Sequence, residues 1–133
     1  NFLDALVWMT LNVYFEARGE GLRGKMDIVH VVHNRSEIRK QTVVEVITAS
    51  KQFSWVNKDA SVQPLVNNTS LVYDMIKCVK AVYLAEAERI QGENRGMIDH
   101  YFNPNKVMPK WADKLTYVHD EGNHRFFTSK RTK

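Results

Sequence analysis

The chain has 133 residues, of which 44% are hydrophobic and 26% are charged, and this composition is typical of one globular domain. No apolar run approaches the roughly 18 residues that a membrane-spanning helix requires, and the single cysteine, Cys78, excludes an internal disulfide. The formal net charge of +4 is compatible with an anionic polymer as a partner but does not require one.

The first predicted element is a helix over residues 2–15, with Asn1 as a candidate N-cap. Its polar residues do not form a wide face, so we expect this helix to be largely buried. Its apolar start has no basic segment before it and no small-residue cleavage site after it, which argues against a signal peptide. Three glycines, Gly19, Gly21 and Gly24, then predict a loop.

Residues 25–69 contain segments of different predicted secondary structure. Residues 25–36 contain IVHVVHNR, where β-branched residues favour a strand and the length favours a helix, so both assignments remain open. Thr42 and Glu45 have the spacing of a capping box and predict a short helix. The polar stretch 57–69 predicts a loop.

The longest predicted helix runs from Ser70 to Gln91 and stops before Gly92. The segments IDHYFNP and NHRFF follow it and predict strands of a small sheet. We therefore expect an α+β fold, predominantly helical, in which the long helix packs beside the first one. The long helix is predicted from an apolar stripe at helical spacing, formed by Val72, Met75, Ile76, Val79, Val82 and Tyr83.

Glu16 stands where the first apolar helix gives way to the glycine-rich loop. A carboxyl at the edge of an apolar core is desolvated, which raises its pKa and keeps its proton near neutral pH. Such a group can act as a general acid toward a leaving oxygen. From this segment alone, a surface glutamate paired with Arg18 is the preferred interpretation.

Six short motifs in a fixed order carry more information than this segment. Together they resemble the cell wall hydrolase family of the spore cortex-lytic (SleB/CwlJ) type, which also occurs in phage endolysins. The resemblance extends over nearly the whole chain and rests on EARGE (16–20), VVHNR (31–35), QFSW (52–55), HYFNP (100–104), Trp111 and GNHRFF (122–127).

This resemblance implies a lysozyme-like single catalytic domain over residues 1–133 with a small antiparallel sheet. It implies cleavage of the MurNAc–GlcNAc glycan strand of peptidoglycan, with Glu16 as the catalytic acid. No metal and no cofactor is expected. Characterised members of the family work as lytic transglycosylases, in which the muramic acid's own 6-hydroxyl closes onto the anomeric carbon and leaves a 1,6-anhydro end.

Two mechanisms therefore compete. A lytic transglycosylase needs one acid, whereas hydrolysis needs a second carboxylate, for which Glu20, Asp27 and Asp99 are candidates. We favour the single-acid mechanism, because two glycines interrupt the helix that would bring Glu20 onto the same face as Glu16. A hydrolytic muramidase or endolysin is the alternative.

Several polar and aromatic residues are candidates for substrate binding. Tyr101 and Asn103 alternate along a predicted strand, so both can face one cleft and orient the N-acetyl group or stabilise developing charge. Gln52 and Trp55 flank a phenylalanine, and a tryptophan ring can stack on the apolar face of a sugar. We expect the cleft to be lined by Glu16, Gln52 and Tyr101.

Glu20 and His124 belong to the same set of candidates, although a structural anchor of its strand is the preferred interpretation of His124. Arg35 closes the VVHNR motif and is expected to support a buried carboxylate such as Glu16 or Glu20. The aromatic candidates also have a structural interpretation as core residues, and Asn103 has one as a turn residue.

Two other classes of protein remain as alternatives. A metal-dependent hydrolase could use His30 and His33, which share a helical face at this spacing. A non-catalytic module that binds cell wall or nucleic acid could use Lys106, Lys110 and Lys114, which lie near a tryptophan in the sequence.

The expected partner is the glycan strand of peptidoglycan, with no nucleic acid and no membrane span, bound by a monomer. The chain is expected to act on the bacterial cell wall, either as a phage endolysin released from the cytoplasm or as a secreted or spore-associated enzyme.

Overall fold

The computed structural model describes residues 2–49 and 68–130 of the chain. These residues form an α+β fold that is predominantly helical, as the sequence predicts, with the helices first and a small sheet after them. The helices are α1 (Phe2–Ala17), α2 (Leu22–Arg39), α3 (Val43–Thr48) and α4 (Thr69–Ile90), and the strands are β1 (His100–Phe102), β2 (Thr116–Glu121) and β3 (His124–Thr128).

The predicted capping box is present at the start of α3. The backbone N–H of Glu45 donates to Thr42 Oγ1 at 3.1 Å, while the N–H of Thr42 donates to Glu45 Oε1 at 3.0 Å. Two backbone donors that the helix itself cannot satisfy are thus paired locally. This explains why so short a helix could be predicted from sequence.

Residues 25–36, which the sequence left open between strand and helix, form part of α2. This helix packs against α1, α3 and α4, so it is covered on several sides. Val29, Val31 and Val32 are fully buried there. Tertiary burial therefore overrides the strand preference of these β-branched residues.

The glycine-rich loop is shorter than expected, because α2 already begins at Leu22 and includes Gly24. The prediction that Gly24 belongs to the loop is wrong. A Cβ atom added to Gly24 would lie 3.1 Å from the Cβ atom of Glu20. This glycine allows the loop to pack closely on the first turn of α2.

The first helix is less buried than expected. Phe2 and Leu3 are 71% and 69% exposed, whereas Met9, Val13 and Tyr14 are buried. The prediction of a largely buried helix is therefore wrong for its first half, since the fully buried residues of α1 begin at Met9. Among the described helices, none is long and apolar enough to cross a membrane.

The long helix packs against both α1 and α2, as expected. Its predicted stripe is split, however, because Met75 and Val82 face the core while the other four side chains are exposed. The other buried residues of this helix are small, and helical spacing alone does not show which of two adjacent rows of side chains is buried. The exposed members of the stripe are Val72, Ile76, Val79 and Tyr83, and the small buried residues are Cys78, Ala81 and Ala85.

The sheet has the strand order β1–β3–β2 with both pairs antiparallel. Tyr101 pairs with Phe126 in the centre, and Phe126 is fully buried against the helices. The turn between β2 and β3 reaches toward the loop that joins α1 to α2, since Asn123 in the turn bonds Glu20 in that loop. The sheet therefore completes the surroundings of the end of α1.

Candidate active site

Glu16 lies in the last turn of α1, which ends at Ala17. The buried Val13 and Tyr14 fix this part of the helix in the core. Burial raises the pKa of Glu16 above its ordinary value of 4.5, and the charge of Arg35 partly offsets this rise. A carboxyl in this setting keeps its proton to higher pH than an exposed one does, so it can serve as a general acid.

Arg35 and Tyr101 complete the surroundings of this carboxyl. Arg35 is 8% exposed, and its Nε donates to the carbonyl oxygen of Asp99 at 2.6 Å. Burial raises the pKa of Tyr101, the negative charge of Glu16 raises it further, and Arg35 lowers it. The charge of Arg35 thus favours the carboxylate form of Glu16, while the supporting role expected for Arg35 stays a prediction.

An open cavity of about 240 Å³, here called the Glu16 cavity, lies beside this carboxyl. Its wall brings together four predicted site residues from three separate parts of the chain. They are Glu16, Glu20, Asn103 and His124.

The Glu16 cavity also has lining residues that the sequence interpretation did not assign to the site. Asn123 is one of them, and its place beside His124 in the GNHRFF motif was a signal that could have indicated it. Lys106 is another, and the sequence associated it only with a binding surface for polymers. The remaining four are Phe15, which precedes the EARGE motif, and Ala17, Arg18 and Gly19, which belong to it.

Glu20 is held by the hairpin turn. Its Oε1 accepts a hydrogen bond from the backbone N–H of Asn123 at 2.9 Å, and its Oε2 accepts one from the Asn123 side-chain amide at 2.8 Å. His124 Nδ1 lies 3.2 Å from the same Oε1. Because both oxygens are engaged, Glu20 ties the loop after α1 to the sheet, although it also lines the cavity.

Tyr101 and Asn103 occupy different positions relative to the cavity. The Tyr101 ring packs 5.1 Å from the ring of His124 and 5.7 Å from that of Phe126, and it is not among the cavity-lining residues. Asn103 lines the cavity, and its side-chain oxygen also accepts the N–H of Asn105 at 2.9 Å, which starts a turn. Their contacts with substrate stay predictions.

Gln52 and Trp55 lie outside the described residues, so their assignment as substrate contacts stays a prediction. Of the three residues expected to line the cleft, Glu16 lines the cavity and Tyr101 packs behind its wall against His124. The expected cleft is thus described only on the side formed by α1, its following loop and the sheet.

Trp111 belongs to the opposite face of the sheet. Its ring lies 5.6 Å from that of Phe102, 5.4 Å from that of Phe127 and 5.0 Å from that of His100. These contacts place this motif residue in an aromatic cluster that supports the strands, which favours a structural role for it.

The other two candidates for a second carboxylate have structural partners. Asp27 is fully buried. Its Oδ1 accepts a hydrogen bond from Arg95 Nε at 2.9 Å, and its Oδ2 lies 2.9 Å from His119 Nε2. Asp99 accepts the backbone N–H of Ser129 at 2.9 Å. Neither side chain lines the Glu16 cavity.

The two histidines considered for a metal site contact carboxylates of α4 instead. His30 Nε2 lies 2.9 Å from Glu88 Oε1, and His33 Nε2 contacts Glu86 Oε1. Within residues 2–49 and 68–130, no group of three or more metal-ligating side chains is assembled. The described contacts give these histidines the role of joining α2 to α4.

Two solved structures are similar to this chain in their overall fold. The catalytic domain of the germination-specific lytic transglycosylase SleB from Bacillus anthracis matches with a TM-score of 0.69 and 26% identity, over 93% of each chain. The catalytic domain of the Bacillus cereus SleB protein matches with a TM-score of 0.70 and 26% identity, over 95% of this chain and 91% of that one. No curated protein sequence matches.

The fold and its cavity therefore define a lysozyme-like enzyme that acts on peptidoglycan. A family model described as Cell Wall Hydrolase matches residues 19–127. The chain belongs to the cell wall hydrolase family. Glu16 lies three residues before the matched region, whereas Glu20, Tyr101, Asn103 and His124 lie within it.

Proposed function

We propose that the enzyme cleaves the MurNAc–GlcNAc glycan strand as a lytic transglycosylase, with Glu16 as both general acid and general base. The observation that carries this proposal is the half-buried Glu16 carboxyl, which has a raised pKa and lines an open cavity. The similarity to a domain named as a lytic transglycosylase supports the same reaction.

The proposed reaction needs one proton carrier. Protonated Glu16 donates its proton to the glycosidic oxygen as the bond from that oxygen to the anomeric carbon of MurNAc breaks. The 6-hydroxyl oxygen of the same MurNAc then bonds to the anomeric carbon and gives its proton to the Glu16 carboxylate. The acid returns to its starting state, and the products are a free 4-hydroxyl and a 1,6-anhydro-muramic end.

The environment of Glu16 suits both halves of this cycle. Burial favours the protonated acid that the first step needs. Arg35 stabilises the carboxylate that exists between the two steps, and it also limits how far the pKa rises. We assign Arg35 and Tyr101 as positioning residues, because they act on the carboxyl electrostatically from the protein side.

Hydrolysis is the second candidate, and the positions of the three carboxylates considered for it argue against it. An attacking water needs a second carboxylate across the sugar from the acid. Glu20 has both oxygens bonded by Asn123, and Asp27 and Asp99 are bound to partners away from the cavity. Asn103 and His124 remain as neutral contacts for the sugar, since burial lowers the pKa of His124.

Digestion in water enriched in heavy oxygen tests the proposal. Purified peptidoglycan is cleaved in labelled water, and the new sugar ends are examined by mass spectrometry. A lytic transglycosylase produces unlabelled anhydro ends, whereas a hydrolase incorporates one labelled oxygen into each new reducing end. Label in most new ends would contradict the single-acid mechanism, and cleavage of the peptide linkage with intact glycan would contradict glycan cleavage itself.

A further inference from the structure

A second cavity, of about 380 Å³, lies against the loop that joins α1 to α2. It shares Arg18, Gly19 and Glu20 with the Glu16 cavity, so the same three residues form part of both walls. We call it the basic cavity. A group bound there is separated from a group beside Glu16 by the thickness of one loop.

The lining of the basic cavity is strongly cationic. It contains four positively charged side chains and one carboxylate, that of Glu20. The Glu20 carboxylate is turned to the hairpin, where Asn123 bonds both of its oxygens. The four cations are Arg18, Lys25, Lys77 and Lys80.

Lys25 is the unusual member of this group, because its residue is only 4% exposed. Its Nζ donates to the carbonyl oxygens of Arg18, at 3.1 Å, and of Glu20. Within the described part of the chain, no carboxylate forms an ion pair with it. A buried ammonium with only neutral partners is costly, and an anion in the adjoining cavity would offset that cost.

The N-terminus of α2 also faces this cavity. Gly21 is the N-cap and Leu22 is the first helical residue, and both belong to the lining. No side chain caps this 18-residue helix. Its first N–H groups and the positive end of its dipole therefore act in the same direction as the four cations.

We propose that the basic cavity binds a carboxylate of the peptide stem that peptidoglycan carries on its muramic residue. This inference rests on the proposed glycan cleavage at Glu16. The stem begins at the lactyl group of the same sugar whose anomeric carbon is attacked. A few extended residues span about 3.5 Å each, so stem carboxylates reach across the loop at residues 18–20.

The form of the site favours this ligand over a long anionic polymer. The cations converge on one concave site around a buried lysine, whereas a nucleic acid or phosphate polymer is typically met by an extended basic stripe. The structure thus assigns the enzyme a preference for peptide-bearing glycan over glycan whose stems are missing or uncharged.

The test compares soluble glycan strands that keep their stems with the same strands after the stem carboxylates are converted to neutral methylamides. The wild-type enzyme is expected to cleave the charged strands with a kcat/KM about 3- to 10-fold higher, the size typical of two or more exposed ion pairs. The variant Lys77→Gln/Lys80→Gln is expected to lose most of this preference. Both lysines are exposed on α4, so the substitutions leave the core intact.

The matched control is Lys110→Gln/Lys114→Gln, which removes the same charge from exposed positions outside both cavities and should keep the preference. Equal cleavage of charged and neutral strands by the wild type would overturn the stem site while leaving glycan cleavage intact. Equal loss of preference in both double variants would show that the preference comes from the overall charge of the enzyme and not from the basic cavity, which would also overturn the stem site. If polyphosphate inhibits cleavage and the two kinds of strand are cleaved equally, the ligand of the basic cavity is a phosphate polymer and the stem proposal is wrong. Cleavage of neither strand would overturn the glycan reaction as well.

Discussion

A Cβ atom placed on Gly122 would lie 2.6 Å from Glu20 Oε1, closer than nonbonded atoms can approach. Gly122 has φ +57, and it sits in the turn between β2 and β3, one residue before the asparagine that binds the same carboxylate. The β2–β3 turn therefore packs against the loop after α1 so closely that position 122 has no room for a side chain.

The substitution Gly122→Ala should destabilise the fold by about 1–3 kcal/mol, since the added methyl meets both a left-handed backbone and the Glu20 carboxylate. Urea denaturation measures this free energy of unfolding. Gly19→Ala is the control, because a Cβ atom there meets no atom within 4 Å. Equal effects of the two substitutions would contradict the close fit.

The substitution Glu20→Gln tests the same contact between the β2–β3 turn and the loop after α1, at the carboxylate instead of the glycine. The variant places an amide N–H₂ against a donor of Asn123, so one hydrogen bond to the carboxylate is lost and the free energy of unfolding falls by about 1–3 kcal/mol. Activity measured well below the melting temperature should fall less than in Glu16→Gln. Unchanged stability with an equally severe loss of activity would identify Glu20 as a second catalytic carboxylate.

The parts of the fold that the sequence predicts are those governed by local interactions. The Thr42–Glu45 capping box satisfies its own donors within one turn, so its signature is readable without the rest of the molecule. The first helix and the long helix likewise follow from uninterrupted apolar spacing. The predicted ends agree with the structure to within about two residues, which is the usual uncertainty of helix ends.

The parts that the sequence leaves open depend on distant partners. The helical state of residues 25–36 is decided by burial of Val31 and its neighbours against three other helices. The pairing of Glu20 with Asn123 joins positions 103 residues apart, and no periodicity encodes it. Glu16, Asn103 and His124 were candidates from the motifs that contain them, whereas the contribution of Asn123 and Lys106 to the same cavity was not predicted.

Glu88 should make stability depend on pH. Hydrogen bonds from Arg23, followed by one from His30, lower the pKa of Glu88 from 4.5 to about 2 although burial opposes this. A carboxylate whose pKa is lowered by folding stabilises the protein above its unfolded pKa and loses that contribution as pH falls from about 4.5 to about 2.

The variant Glu88→Gln should therefore cost about 1–3 kcal/mol at pH 7, and the difference from wild type should shrink as pH falls through that range. Unfolding in urea at several pH values measures it. Glu37→Gln, at an exposed position on α2, is the control and should give a small difference at every pH. A Glu88→Gln difference that stays constant down to pH 2 would show that the ion pair is not its source.

Replacing Glu16 by Gln removes the transferable proton and keeps the size of the side chain. Release of soluble fragments from peptidoglycan should fall at least about 10²-fold, the lower range for general acid catalysis. The melting temperature should not fall, because burial penalises the charged form of this carboxyl and the neutral amide avoids that penalty. Near-normal lysis by this variant would remove Glu16 from the mechanism.

The charge of Arg35 should set the upper pH limit of activity through Glu16. The acid must be protonated, so kcat/KM falls as pH rises through the pKa of Glu16 in the free enzyme. Arg35 favours the carboxylate and lowers that pKa, hence Arg35→Gln should raise it and move the alkaline limb of the pH profile to higher pH. Arg35→Lys keeps the charge and should leave the limb near its wild-type position.

The position of the limb distinguishes this effect from a loss of folding. Arg35 is buried and bonds the carbonyl oxygen of Asp99, so both variants will lower the melting temperature and the fraction of folded enzyme. A smaller folded fraction scales kcat/KM down without moving the pH at which it declines, provided that the profile is measured at a temperature where folding does not change with pH. Only a change in the proton affinity of the acid moves the limb. A limb that stays in place in Arg35→Gln, or moves to lower pH, would mean that Arg35 does not act on Glu16 and that another group controls the protonation of the acid.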